Sequence, residues 1–232
     1  MSLELGGNAP FIVFDDADLD SAVDSALAAK FRNSGQTCIC ANRLLVQNGI
    51  LDAFTRRLAS KVDSLKPGFG LDAGVTQGPL IDENAVKHVE ALVADAVEKG
   101  ARVAVGGKRH ALGGLYYEPT VLSGVTPSMR VFKEEIFGPI APVTAFASEK
   151  EAIAMANDTD AGLASYVFTN DLGRTFRACE ALEYGMVGVN EVILAMAEAP
   201  FGGVKESGMG REGGSEGILD YLVFARNFIA EC

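Results

Sequence analysis

The sequence predicts an α/β domain built on a mostly parallel, twisted sheet that is flanked by helices. Helix-like and strand-like segments alternate along the chain, which is typical of βα units. The 26 glycines can supply tight turns between these segments. With 232 residues, 48% of them hydrophobic and 22% charged, the chain can bury one good core.

The first helix is indicated by apolar residues that recur at helical spacing from Leu19 to Phe31, with Asp18 available as the N-cap. Gly100 is a suitable C-cap for a later helix because glycine tolerates a positive φ. The other elements predicted for the first half are a strand at 43–47, an amphipathic helix at 50–65, a loop containing Gly and Pro at 67–80 and a helix at 83–99.

The second half continues the alternation of strands and helices. Its last segment, YLVFARNFIA at 221–230, resembles a strand that projects from the end of the domain. The other predicted elements are strands at 101–107, 116–122 and 139–146, a helix at 149–156, a strand at 165–169, a helix at 174–182 and a strand at 185–190.

Composition and charge exclude several classes of function. A net charge of −11 makes nucleic acid a poor partner, because phosphate binding needs clustered Lys and Arg. No apolar run is long enough to span a membrane, and the N-terminus lacks the pattern of a secretory signal. The four cysteines therefore indicate free thiols in a reducing, cytoplasmic compartment.

The segment FRNSGQTCICANR places Cys38 at an irregular junction between a helix and a strand. A thiol nucleophile needs such a position, but a buried structural cysteine fits the same pattern. A Cys-His pair would have to use His88 or His110. No metal is expected, because the CxC pair has no second Cys pair or nearby histidine to complete a site.

A second candidate lies in LELGGNAPF, which is interpreted as a strand that ends in two glycines with Glu4 just before the turn. A carboxylate there could be a general base if a dry environment raised its pKa. It could equally be a solvated charge at the end of a strand. The residues alone leave both interpretations open.

Gly208, Gly210 and Gly213 spell GxGxxG, the pattern of a dinucleotide-binding turn. That turn requires a preceding strand and a following helix. Here the glycines follow the polar turn KES close to the end of the chain. The pattern is therefore interpreted as a loop and not as a dinucleotide site.

Four blocks together resemble the aldehyde dehydrogenase family. LELGGNAP resembles its glutamate signature and FRNSGQTCICAN its cysteine signature, in the right order and at the right separation. KEEIFGPI and APFGGVKESGMGREGG resemble two further blocks of the family. NAPFIVFDDADLD and GQTCICANR resemble the succinate-semialdehyde branch in particular.

The resemblance implies a mechanism in which Cys38 is the nucleophile and Glu4 activates the water that hydrolyses a thioester. The hydride acceptor would be NAD or NADP. Glu135 would bind the ribose on the nicotinamide side, and Phe137 would pack near the nicotinamide. Arg43 would be structural, with an ordinary surface salt bridge as the alternative.

The resemblance also implies a substrate. Arg32 matches the arginine that grips the carboxylate of succinic semialdehyde, and Phe201 resembles an aromatic of the pocket wall. Ala195 and Met196 stand where the branch has serines, one of which helps to hold that carboxylate. A longer aldehyde such as glutarate semialdehyde is therefore a competing substrate.

Cys40 resembles the second cysteine that some family members oxidise reversibly to a disulfide with the nucleophile; a passive neighbour is the alternative. Residues 1–220 are assigned to the catalytic domain and 221–232 to a strand of an oligomerisation arm, which implies a homo-oligomer. The family's cofactor-binding domain, which would precede the first block, is expected to be absent. An inactive fragment that serves only as an interaction or oligomerisation module is therefore a second hypothesis, and cofactor-free ester hydrolysis by Cys38 is a third.

Overall fold

The computed structural model describes residues 2–222 and confirms the predicted alternation of strands and helices. Its helices are α1 (Leu19–Phe31), α2 (Leu51–Asp63), α3 (Glu83–Glu98), α4 (Arg130–Lys133), α5 (Glu149–Asn157) and α6 (Leu172–Ala181). Its strands are β1 (Leu3–Glu4), β2 (Ala9–Val13), β3 (Ala41–Gln47), β4 (Arg102–Val105), β5 (Thr120–Ser123), β6 (Ile140–Phe146), β7 (Ala161–Gly162), β8 (Ala164–Phe168), β9 (Met186–Val189), β10 (Val204–Lys205) and β11 (Gly208–Met209).

Seven strands form one sheet in the order β4-β5-β6-β3-β2-β8-β9. All neighbouring strands are parallel except β4 and β5, which are antiparallel at one edge of the sheet. The short strands β1 and β11 pair with each other, as do β7 and β10. The prediction of a mostly parallel sheet is therefore confirmed.

Helices cover both faces of this sheet. Phe11 and Val13 of β2 pack with α1 and α2, whereas Ile12 and Phe14 pack on the opposite face with α3, α5 and α6. All four side chains are 0% exposed. Burial on both faces explains why the central strands are continuous apolar runs and not alternating ones.

β2, which lies near the middle of the sheet, is not among the elements predicted from the sequence. The predicted strand that ends in two glycines corresponds to β1, and the structure adds β2 on the other side of Gly6 and Gly7. Glycines commonly mark the end of a strand, so the start of the next apolar run was overlooked. This correction matters because the turn between β1 and β2 carries part of the candidate site.

Other predicted elements hold with shifted boundaries. Asp18 caps α1 by accepting a hydrogen bond from the Ser21 N–H, and Gly100 has φ +100° just after α3, as predicted. The helix predicted at 174–182 begins earlier because Asp171 is its N-cap.

The strand predicted at 116–122 begins only at Thr120, after Pro119. Gly208 lies in a two-residue strand, and turns without a helix follow it as far as residue 218, in agreement with a loop. From residue 223, the strand predicted at 221–232 lies outside the described residues. Within residues 2–222, none of the helices has the length and apolar character to cross a membrane.

The loops that carry the candidate residues meet at the amino ends of the parallel strands. Gly7 and Asn8 precede β2, residues 38–40 precede β3, and residues 135–137 precede β6. Because β2, β3 and β6 run in the same direction, these three loops lie at the same end of the sheet, where these strands begin. Open α/β sheets more often place ligands at the carboxyl ends of their strands.

The Arg43 side chain connects the amino ends of these strands to residues of α5. Its side chain is 0% exposed, and its guanidinium donates to the carbonyl oxygens of Asn8, Met155 and Ala156 and to the Tyr184 hydroxyl at 2.7–3.2 Å. The ring of Phe132 lies 5.3 Å from the guanidinium carbon. The structural role expected of Arg43 is thus observed, and the surface salt-bridge alternative is wrong.

Replacing Arg43 should destabilise the domain, because its acceptors would be left buried without a donor. For Arg43→Met, we expect the free energy of unfolding to fall by about 3–5 kcal/mol. Denaturant titration followed by circular dichroism measures this value. Arg57→Met is the matched control, since Arg57 is half-exposed and pairs with Asp20, and its loss should cost less than about 1 kcal/mol. Equal losses for the two variants would contradict the prediction.

Candidate active site

A tight turn places Cys38 just before the amino end of β3. After α1 the chain makes a 3-10 turn over Arg32–Gly35, in which Asn33 and Ser34 have φ of 52° and 55°. Left-handed backbone at two successive non-glycine residues is uncommon and marks an imposed path. The Ser34 hydroxyl donates to the Gly78 carbonyl at 2.9 Å and anchors the turn.

Cys38 itself is half-buried and its thiol is free. Its carbonyl oxygen packs so closely on Gly7 that a Cβ at residue 7 would overlap it. Burial raises the pKa of the Cys38 thiol, and the negative charges of Glu4 and Glu135 raise it further, whereas the local backbone N–H groups oppose the shift. The resting group is therefore a thiol, and it must lose its proton before it can act as a nucleophile.

The residues on either side of Cys38 fix the loop. The Tyr166 hydroxyl, on β8, donates to the Ile39 carbonyl at 2.7 Å. The Cys40 thiol lies 2.8 Å from the Thr37 hydroxyl oxygen and 3.7 Å from the Lys30 carbonyl oxygen, so it is directed toward the end of α1. The sequence does not indicate that Tyr166 or Lys30 lies near the cysteines, because nothing in the local pattern links β8 or α1 to them.

Glu4 is not the solvated charge that the sequence left open. Both of its carboxylate oxygens are buried and accept no hydrogen bond of normal geometry from the described residues. Burial raises the pKa of Glu4, and the nearby Glu212 carboxylate raises it further, while Arg211 and the Gly203 backbone oppose them. A desolvated carboxyl with a raised pKa is suited to proton transfer near neutral pH.

The sequence did not indicate Glu212 as a site residue. Its position follows from its backbone pairing with Phe201. The backbones of Phe201 and Glu212 exchange two hydrogen bonds, at 2.6 and 2.7 Å. This pairing folds the APFGG and GREGG blocks together and brings the Glu212 carboxylate toward Glu4. In the sequence Glu212 is only a carboxyl near the end of the block APFGGVKESGMGREGG. Its proximity to Glu4 depends on the fold.

Glu135 lies on the third loop. Its Oε1 accepts the Gly7 N–H at 2.9 Å, and a Cβ on Gly6 would lie 2.6 Å from its Oε2. Burial raises the pKa of Glu135, while the Gly7 N–H and the charge of Lys30 oppose that rise. The two glycines of LELGG thus allow a carboxylate to approach the backbone next to Cys38.

Buried amides hold the Glu135 loop in place. Asn42 donates to the Asn8 side chain at 2.6 Å and to the Glu134 carbonyl at 2.9 Å, and it accepts the Ile136 N–H at 2.9 Å. His88 Nε2 lies 3.0 Å from the Glu135 carbonyl oxygen. His88 thus supports this loop and forms no pair with Cys38. Neither does His110, whose Nδ1 accepts the Leu112 N–H at 3.3 Å.

Phe137 ends the loop in a strained and exposed position. It has φ +44° and its side chain is 42% exposed. It lines a cavity with Gln36, Pro79 and Ile81, directly beside the cysteine turn. An exposed aromatic residue held at positive φ is typical of a functional position and not of a packed core.

Arg32 lines a second cavity of about 230 Å³ beside the cysteine loop. Among the described residues, its guanidinium forms no hydrogen bond and no ion pair. The rest of the lining is mainly apolar and includes both neighbours of Cys38: Ala28, Ala29, Thr37, Ile39, Tyr166, Val192 and Ile193. Ala195 and Met196 are exposed and lie outside this lining, as does the half-buried Phe201.

The structure therefore brings Cys38 and Glu135 together at the amino ends of β2 and β3, since Gly7 packs on the Cys38 carbonyl and its N–H binds Glu135. Glu4 lies at the end of β1, shortly before Gly7. Arg32 lies in the adjoining cavity, and Phe137 lies on the neighbouring side of the cysteine turn. Within residues 2–222, no group of three or more His, Cys, Asp and Glu side chains could hold a metal. Such an arrangement could support covalent chemistry at a thiol, with carboxylates available to move protons.

Comparison with known proteins identifies the family. The model of the aldehyde dehydrogenase family matches residues 1–225, so the chain belongs to that family. A crystal structure of succinate-semialdehyde dehydrogenase from Burkholderia pseudomallei superposes with a TM-score of 0.94 and 60% identity, over 95% of this chain and 46% of that one.

Three curated relatives each match 96% of this chain and 46% of their own length. They are a 3-sulfolactaldehyde dehydrogenase of Pseudomonas putida at 60% identity, a glutarate-semialdehyde dehydrogenase of Pseudomonas aeruginosa at 61% and an NADP+-dependent succinate-semialdehyde dehydrogenase of Escherichia coli at 60%. The chain thus spans about half the length of the relatives that it matches.

Proposed function

We propose that this chain is the catalytic part of an enzyme that oxidises an aldehyde bearing a distant anionic group to the carboxylic acid, with NAD+ or NADP+ as the oxidant. The observation that carries the proposal is that Gly7 packs on the Cys38 carbonyl while its N–H binds the Glu135 carboxylate, with Glu4 on the strand just before this turn. Membership of the family supports the reaction class.

In the proposed reaction the Cys38 thiol gives its proton to solvent water, and the thiolate attacks the aldehyde carbon to form a thiohemiacetal. The backbone N–H of Cys38 helps to stabilise the oxyanion. NAD+ or NADP+, when bound, would supply the hydride acceptor, and loss of the hydride from that carbon would leave a thioester on Cys38. Glu4 then takes a proton from water, the water oxygen attacks the thioester, and the Cys38 thiolate leaves as the carboxylic acid forms.

The residues near Cys38 fit a nicotinamide cofactor. Glu135 Oε2 accepts no hydrogen bond within the described residues and could accept one from a ribose hydroxyl. The exposed ring of Phe137 offers an apolar surface at the same end of the loop. Glu135 and Phe137 would contact the part that NAD and NADP share, so the proposal covers either cofactor.

Arg32 supports an anionic substrate. Among residues 2–222, Arg32 is the one charged residue in the lining of a mainly apolar cavity that adjoins the cysteine loop. Guanidinium suits a carboxylate, and the substrates in the names of the three relatives all carry an acid group remote from the aldehyde. Succinic semialdehyde is the first candidate, and glutarate semialdehyde is the alternative because a relative of 61% identity is a glutarate-semialdehyde dehydrogenase.

Two other hypotheses remain beside the enzyme. In the first, the chain acts only as an interaction or oligomerisation module. A homo-oligomer and a cytoplasmic location stay predictions. Cys38 could alternatively hydrolyse esters slowly without a cofactor. The Glu4 carboxylate oxygens are buried and have no hydrogen-bond partner within residues 2–222, which favours chemistry over a passive module because such a carboxyl is costly to keep.

Acylation of Cys38 tests the central chemistry in this chain alone. With p-nitrophenyl acetate we expect one acetyl group on Cys38, detected by intact mass and peptide sequencing, and none in Cys38→Ala. In Glu4→Gln the acetyl group should persist, with deacylation at least about 100-fold slower, because the base that activates water is lost. Cys179→Ala is the control and should behave as the parent chain. Deacylation of Glu4→Gln at the parent rate would contradict the role of Glu4.

The pH dependence of deacylation should follow the raised pKa of Glu4. The base must be ionised, so the rate should rise with pH through that pKa, above the range of an ordinary glutamate. Glu212→Gln removes a negative charge that favours the neutral acid. The rise should therefore move to lower pH in this variant.

Arg32 is tested by substrate preference in a protein that also carries the cofactor-binding half. For Arg32→Ala, we expect kcat/KM for succinic semialdehyde to fall by about 10–100-fold, as a charged hydrogen-bonding partner is lost, with little change for a neutral aldehyde. Formation of NAD(P)H measures both rates. An unchanged ratio between acidic and neutral aldehydes would reject Arg32 as the anion-binding residue.

We also propose that Cys40 forms a reversible disulfide with Cys38 under oxidation, which would protect the nucleophile and silence it. The Cys40 thiol now faces Thr37 and Lys30, so it would have to leave these partners first. After peroxide treatment, the tryptic peptide 33–43 should be two hydrogens lighter and regain its mass on reduction. Two free thiols in that peptide would show that Cys40 is a passive neighbour.

A further inference from the structure

Cys38 lies in a turn that directly precedes β3. The Cys40 N–H donates to the Thr37 carbonyl at 3.1 Å, so Cys38 and Ile39 are the central residues of a β-turn. The Cys38 carbonyl faces Gly7, where a Cβ would lie 2.3 Å from its oxygen. Because a trans peptide is planar, the Ile39 N–H of the same peptide points away from Gly7. The direction of the Ile39 carbonyl is set separately, by a residue of another strand.

Tyr166 of β8 holds the Ile39 carbonyl. Its hydroxyl donates to that oxygen at 2.7 Å across 127 positions of sequence, and the residue is 1% exposed. No other donor within residues 2–222 bonds to this carbonyl. Burial raises the pKa of Tyr166, so its hydroxyl stays protonated and remains a donor over the pH range in which a thiol titrates. Loss of the hydroxyl would leave a buried carbonyl without a partner.

The Tyr166 ring is itself fixed by the sheet. The ring of Phe11 on β2 lies 6.0 Å from it between centroids, and a Cβ on Gly188 of β9 would lie 3.2 Å from its Cδ1. Tyr166 also lines the cavity that contains Arg32, as does Ile39. One rigidly held side chain therefore joins the candidate substrate cavity to the turn that carries Cys38.

We propose that Tyr166 is a positioning residue for Cys38: its hydroxyl fixes the Ile39 carbonyl, and the turn held in this way presents the Cys38 sulfur for reaction. The backbone N–H groups of Cys38 and Ile39 support this role, because they lower the pKa of the thiol against the effect of burial and so favour the thiolate. The role rests on the proposed function, since only a reactive Cys38 needs a fixed turn.

The pH profile of Cys38 alkylation by iodoacetamide tests this role in the chain as it is, without cofactor or turnover. Tandem mass spectrometry of the tryptic peptide 33–43 separates Cys38 from Cys40. Tyr166→Phe keeps the ring, removes the hydroxyl and leaves Glu4 and Glu135, the carboxylates that act on Cys38, unchanged. We expect the midpoint to rise by about half a pH unit, which makes alkylation about threefold slower below the midpoint. A turn that is merely loosened would expose the thiol and move the midpoint the other way.

Ser165→Ala is the matched control. Ser165 precedes Tyr166 on β8, is 0% exposed and donates its hydroxyl to the Met186 carbonyl at 3.3 Å. Successive side chains of a strand point to opposite faces of the sheet, so this loss should leave the Cys38 midpoint unchanged. Circular dichroism and the thermal midpoint show that both variants are folded at the assay temperature, and Tyr166→Phe should fold because its ring is retained.

A second readout uses a protein that also carries the cofactor-binding half. Tyr166→Phe should lower kcat/KM for succinic semialdehyde and for a neutral aldehyde by the same factor, at least about threefold, because both react with the same thiolate. Loss of Arg32 should instead affect the acidic aldehyde alone.

A midpoint in Tyr166→Phe that equals or falls below the parent value would overturn the proposal, as would a loss of kcat/KM confined to the acidic aldehyde. Neither result bears on the proposed function, which is decided separately by acylation of Cys38→Ala and deacylation of Glu4→Gln.

Discussion

The site depends on a buried polar network at the amino ends of β2 and β3. The side chains of Asn8 and Asn42 bond to each other, and Asn42 also binds two backbone groups of the Glu134–Ile136 segment. Arg43 binds the Asn8 carbonyl and two carbonyls at the end of α5. Each of these polar groups is inaccessible to water, so the loss of one partner leaves another unsatisfied. The network therefore fixes the loops on which the candidate residues lie.

Parallel pairing of β2, β3 and β6 brings the candidate residues together. The loops before β2, β3 and β6 are far apart in sequence, but strands that run in the same direction bring their amino ends together. Gly7 then approaches the Cys38 carbonyl, and its N–H reaches Glu135. A larger residue at position 7 would push the loops apart, since backbone occupies the space that its Cβ would need.

Electrostatics in the site is governed by burial more than by ion pairs. Cys38, Glu4 and Glu135 all have pKa values raised first by burial, which favours their neutral forms. Lys30 is shifted the opposite way by the same cause, because its charged form is the protonated one. Burial thus shifts each of these four groups toward its uncharged form.

The sequence by itself determined the order of the helices and strands, the parallel sheet and the identity of Cys38, Glu4, Glu135 and Arg32 as candidates. Periodicity, caps such as Asp18 and four short blocks carry that information locally. Only the tertiary structure decided that Glu4 is desolvated, that Glu212 lies near it and that His88 supports the Glu135 loop. It alone showed Lys30 and Tyr166 around the cysteine. These facts depend on contacts between residues distant in the chain, and a local pattern cannot specify which buried groups will meet.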